Sequence, residues 1–325
     1  MKRLVLYIAM FAAFLTVTAQ EKGRMADYAA RLDALFEATQ SAPTDNERYL
    51  ASEQAVQLMA EALSNEGSIG WKWDFGTKVS VLTSADRKVR LITWPVVRDN
   101  GEWECFGFVQ YINSATGEAE FAELNDKSEE ILNREETILT PDNWFGAVYQ
   151  EIIQTSNDGR TYYTLLGYNG VDNITQRKII EPIWFKPATG KPQLGQALFR
   201  RERNLRRVVL EYSNSVMVNL RFEEQYVRQV ERKRVKQKGT KNRYRTIEVT
   251  HDRKEKMIMF DEVAPQIEGM EGLYQYYVPS GEELAYAFVD GKWELRRGAQ
   301  GRVDDKRLNK PFEPLEKADP AYSTR

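Results

Sequence analysis

Alternation is the feature that most constrains this chain. Val208, Leu210 and Tyr212 fall on every second position, and so do Val216, Val218, Leu220 and Phe222 after the break Ser213-Asn214-Ser215. Ile258 and Phe260 repeat the habit within residues 257–263. A period of two turns one face of a strand to a core and the other to water. The Ser-Asn-Ser break predicts a hairpin over 207–222, because Asn tolerates the left-handed backbone that tight turns need, and 257–263 is expected to pair beside it.

Similar signals run through most of the chain. Residues 79–83, 89–94 and 103–112 read as a meander, with turns at 84–87 and at Asp99-Asn100-Gly101. Residues 144–154 and 161–168 should pair across Ser156-Asn157-Asp158-Gly159. The run 179–185 is strand-like, but Pro182 has no N–H for a ladder, which predicts an edge or bulged strand. Further strands are expected at 273–278, 284–289 and 293–296, the last two joined by Asp290-Gly291.

Ahead of the strands the period becomes helical. Tyr28, Leu32, Leu35 and Phe36 form one stripe, and Tyr49, Val56, Met59, Ala60 and Leu63 a second. Between them Thr44-Asp45-Asn46-Glu47 fits a capping box. The fold class is therefore α+β, mainly antiparallel β in sandwich-like or meander sheets, with an N-terminal helical hairpin. Its expected divisions are a signal peptide (1–19), the hairpin (20–67), a β meander (68–117), an acidic connector (118–140), a main antiparallel domain (141–305) and a flexible tail (306–325). A basic hairpin arm at 224–252 projects from the main domain.

Lys2 and Arg3, an apolar run over 4–15 and small residues up to Ala19 describe a secretory signal cleaved after Ala19. Export follows, to the periplasm first, with outer-membrane association or secretion as the alternatives. Cys105 is the only cysteine, so no intramolecular disulfide forms, and its apolar surroundings mark it as a buried small hydrophobe.

The segments Tyr163-Thr164-Leu165-Leu166-Gly167-Tyr168-Asn169-Gly170, Arg177-Lys178-Ile179-Ile180-Glu181, Arg207-Val208-Val209-Leu210-Glu211-Tyr212 and Met257-Ile258-Met259-Phe260-Asp261 resemble those of a group of exported Bacteroidota proteins without an assigned activity, as does the closing stretch 276–293. The resemblance spans about 145–295. It implies a cell-envelope setting and brings no catalytic residues with it.

Chemistry is narrowed by count. His251 is the sole histidine; a His-based triad needs it beside a nucleophile, whereas its polar run reads as a solvated turn, and one His with one Cys cannot build a structural zinc site. No Gly-rich phosphate cradle and no EF-hand spacing occurs. No catalytic, cofactor-binding or metal residue is assigned, and no cofactor. Two carboxylates in an aromatic groove, as in glycosidases, are the surviving enzymatic alternative. With seven Trp in the chain, Trp71 and Trp73 are the candidate glycan-binding pair, both on one side of an extended segment.

The most distinctive surface feature is basic. Arg228, Arg232, Lys233, Arg234, Lys236, Lys238, Lys241, Arg243 and Arg245 face only Glu231 within 228–245. Such a run is either a solvated arm or an anion-seeking one, drawn to anionic lipid, acidic polysaccharide or an acidic protein surface. The acidic segment near Glu129, in the same molecule or a neighbour, is one such surface. Export removes nucleic acid from the list. The sequence thus points to a non-enzymatic envelope binding or assembly protein whose partner is an envelope protein or an anionic glycan or lipid surface, homo-oligomers included. The alternative is a carbohydrate-active protein.

Overall fold

Strands that are apolar on both parities need a cover on both faces. In β2 (Val89–Val97), Val89 and Leu91 point one way and Ile92 and Trp94 the other, and all four are buried. β6 (Arg160–Asn169) and β7 (Thr175–Phe185) repeat this, with Leu165 and Ile179 on one face and Leu166 and Ile180 on the opposite one. Each fully buried side chain of this kind contributes about 1.5–3 kcal/mol. Removing either cover would expose several at once.

The computed structural model describes residues 2–236 and 244–297, with side chains for 20–227, 232–235, 244–249 and 253–297. The chain divides into Met1–Glu223 with Met257–Gly298, and a smaller unit of Glu224–Lys256 with Ala299–Arg325.

In the larger unit four layers are stacked. A helical hairpin of α1 (Lys2–Ser41) and α2 (Asp45–Leu63) lies on a first antiparallel sheet of β1 (Ser80–Thr83), β2, β3 (Trp103–Ile112) and β4 (Ala119–Asn125). The expected capping box closes the start of α2, with the Glu47 amide donating to Thr44 Oγ1 and the Thr44 amide to Glu47 Oε2. Met25, Leu32, Phe36 and Met59 meet Ile92, Trp94 and Phe108 in the first interlayer core.

The far face of this sheet (Leu91, Cys105, Val109, Tyr111) packs on a middle sheet of β5 (Val148–Asn157), β6, β7, β8 (Pro192–Leu194) and β9 (Val208–Ser213). The middle sheet's other face packs on a third, formed in this unit by the start of β10 (Leu220–Lys236), the end of β11 (Tyr244–Pro265), β12 (Tyr277–Val289) and β13 (Lys292–Arg297), through Ile258, Phe260, Tyr286 and Trp293. The front meander and the back domain therefore share a core.

Three expectations are corrected. Residues 207–222 do not form a hairpin: β9 pairs with β7, whereas β10 pairs with β11. Between them the chain crosses from one layer to the next. The Asn214 amide still bonds Ile174 O, and by Asn219 the bonds run to Asp261. Val218 is buried in the interlayer core while Met217 is exposed, so the alternation continues through a connector. The second correction is β4, which occupies the first part of the acidic stretch read as a connector.

The third is Pro182, which lies in a strand paired on both sides. Opposite Thr164 it belongs to the β6 ladder, and its carbonyl on the other side accepts from the Gly195 amide. On that side β9 covers β7 up to Ile180 and β8 resumes at Ile183. The missing N–H thus falls in the gap between two partner strands, where no ladder bond is lost.

That gap is spanned by charge. Glu181 and Arg207 are buried to 1% and 0% exposure. Glu181 Oε1 accepts from Arg207 Nε at 2.5 Å, and Oε2 from the Tyr149 hydroxyl at 2.5 Å, which itself accepts from Trp144 Nε1 at 2.8 Å. The rest of the guanidinium donates to the carbonyls of Arg134, Thr137 and Leu194. One planar fork ties the loop after β4 and strand β8 to the sheet centre.

Candidate functional site

Two features of opposite charge stand out, one in each unit. The first is a cleft of about 360 Å³ in the larger unit. It is built where the β2–β3 turn and the start of β3 meet the loop after β4 and the β6–β7 connection. Glu102, Glu104, Asp126, Glu129, Glu130 and Asp172 line it, against Arg98 and Lys127.

Its floor is held by backbone. The Trp103 amide donates to Val171 O at 2.9 Å, and Asn173 Nδ2 to Asn100 O at 2.6 Å, locking the two turns together. The Trp103 ring lies against Gly170, where a Cβ would come within 2.2 Å of it, and meets Tyr168 edge-on at 5.4 Å. Only glycine leaves room there.

Asp126 is the deepest carboxylate. It accepts from the Cys105 amide at 2.9 Å and the Ser128 amide at 3.0 Å. Burial pushes its carboxyl above the usual range, and the two amides pull the other way. The rim acids are partly matched: Arg98 lies 3.6 Å from Glu102 and from Glu104, Lys127 2.8 Å from Glu130, and Arg177 3.3 Å from Glu129. Among the described residues no group of three or more His, Cys, Asp or Glu is arranged to hold a metal ion. The cleft offers concentrated negative charge and an aromatic wall, which suits a cationic, Arg-bearing segment better than a small neutral solute.

The second feature is the basic arm. β10 and β11 are hydrogen-bonded neighbours, and their residues 224–236 and 244–256 form a two-stranded ribbon. Arg232, Lys233, Arg234 and Arg245 are exposed. The Arg232 side chain is 76% exposed, and its Nε lies 3.0 Å from Glu248 Oε1. Lys254 Nζ sits 2.8 Å from Glu224 and 5.0 Å over the Tyr226 ring, and the carboxylate raises its pKa. The side chains of Arg228 and Lys236, and all of Lys238, Lys241 and Arg243, lie outside the described residues, as do the His251 side chain and the expected tail.

The glycan-binding pair is corrected. Trp73 is 4% exposed and Trp71 half-buried, and both pack into the core beneath the helical hairpin. Their rings meet edge-on at 6.4 Å, with Trp73 stacked on Phe75. The alternation that put them on one side was right about their direction, but that side is the core. Cys105 is buried as expected.

The cleft was missed because its acids come from three segments brought together only by the sheet stacking. Two traces exist in the sequence: Glu102 and Glu104 flank Trp103 at the start of a strand, and the acidic run begins to end its strand at Asp126. No protein-family model, no characterised protein and no solved structure matches this chain.

Proposed function

We propose that this protein is an exported, non-enzymatic binding or assembly component of the cell envelope that engages an anionic partner through its basic arm. The observation carrying this reading is the ribbon itself. A two-stranded ribbon is marginal on its own in water, and this one has only sparse, partly buried apolar residues (Tyr226, Val235, Ile247 and Val249) among exposed Arg232, Arg234 and Arg245. Spending so many residues on cationic surface makes sense where something anionic is to be held. Export of the chain rests on the Lys2-Arg3 start and the apolar run that follows. No helix among the described residues is long and apolar enough to cross a membrane. The carbohydrate alternative loses Trp73 as an exposed platform.

The test is retention of the mature chain on a dextran sulfate matrix, eluted with rising salt, against the variant Arg232→Glu/Arg234→Glu/Arg245→Glu. Exposed charges act over about 8 Å at physiological ionic strength. Retention should be salt-sensitive and the variant should elute far earlier. Equal elution of the two proteins would remove the arm from the function.

A further inference from the structure

We infer that the anionic partner of the basic arm is the acidic cleft of a second copy of this chain, so that the protein assembles head to tail. This rests on the reading of the arm as an anion-seeking element and names its partner. The first support is charge division within one chain. There are 46 basic and 48 acidic residues in all. Setting aside the nine basic residues and Glu231 of 228–245 leaves 37 against 47, so one short segment holds the positive charge that the remainder lacks.

The second support is shape. The acids are gathered in a concave cleft of about 360 Å³ walled by Trp103, with Tyr168 behind it. A narrow ribbon bearing Arg side chains is complementary to such a cleft in form as well as charge, since guanidinium groups pair with carboxylates in a planar fork and stack on aromatic faces. The third is chemistry. Six carboxylates line the cleft against two cations, Arg98 and Lys127, and the rim acids Glu102 and Glu130 are exposed, so the surface keeps negative charge that more cations would balance. The arm and the cleft are different patches, so the contact is heterologous and propagates into a ring or a chain rather than closing as a two-fold dimer.

The experiment is sedimentation velocity of the mature protein up to about 100 µM, at about 50 mM and about 500 mM NaCl. Two variants accompany it: an arm reversal (Arg232→Glu/Arg234→Glu/Arg245→Glu) and a cleft-rim reversal (Glu102→Lys/Glu104→Lys/Glu130→Lys). The native chain should form species larger than a dimer at low salt and dissociate at high salt. Each variant alone should associate about tenfold more weakly or worse. Mixing the two should restore association, because each reversed arm then meets an oppositely charged cleft. That rescue also shows that both variants are folded.

Monomeric native protein at low salt, or association that survives cleft reversal, overturns the inference. If the native chain stays monomeric while the arm variant still elutes early from dextran sulfate, the arm keeps its anionic partner and only the identity of that partner is lost.

Discussion

Among the described residues Glu181 and Arg207 form the most fully buried ion pair, and each is tolerated because the other is there. Breaking a buried ion pair by removing one partner costs about 3–5 kcal/mol, since the remaining charge is left without compensation. Arg207→Met should lose that much in urea unfolding, and Glu181→Gln less, because the amide keeps the shape. A loss below about 1 kcal/mol for Arg207→Met would mean that water replaces the fork. Cys105 makes the opposite case. Burial pushes its thiol well up, with the charges of Asp126 and Glu104 adding to the effect. It should ignore a thiol reagent at neutral pH in the native protein and react once on unfolding; brisk native labelling would show that the core beneath β3 opens. Of these residues, Cys105 was legible from its apolar neighbours. Glu181 and Arg207 were not, because a charged residue in a sequence reads as solvated, and nothing local announces a partner 26 positions away.

At the scale of elements, turn chemistry carried the most information. Asp158-Gly159 and Asp290-Gly291 both adopt positive φ, at 49° and 74° in each case, and both join paired strands. These are the backbone angles that make Asp-Gly a hairpin signal. Ser213-Asn214-Ser215 offered similar residues and a similar pattern, yet the chain there passes between layers. Alternation records that one face is buried, and a strand and a layer crossing satisfy it equally. The arm is the element whose removal is most informative. None of the three interlayer cores contains a described residue of Glu224–Lys256. Replacing 228–245 by a short Asn-Gly turn should therefore leave the thermal midpoint within about 2–4 °C, the shift that roughly 1 kcal/mol produces in a domain of this size. A larger fall would make the arm part of the fold, and its charges a structural feature.

At the scale of the whole molecule, the stacked layers tie stability to alkaline pH. Tyr111, Tyr149 and Tyr163 lie in the core between the first and middle sheets, and Tyr286 in the core between the middle and third. Burial raises the phenol pKa of each. For Tyr149 the Glu181 carboxylate adds to burial, for Tyr163 Asp86, and for Tyr111 Glu120, while Tyr286 is pushed up to about 12. Between the ordinary value near 10 and these higher ones, the unfolded chain releases protons that the folded chain keeps. Stability therefore holds below about pH 10 and falls as pH rises beyond it. Because the tyrosines sit in two cores that share the middle sheet, opening one layer should open the other. Absorbance of tyrosinate and far-ultraviolet circular dichroism should change together in a single transition above about pH 10. Ionisation of these tyrosines ahead of any loss of β signal would mean that the layers admit solvent separately, and the middle sheet would no longer be the element on which the whole unit depends.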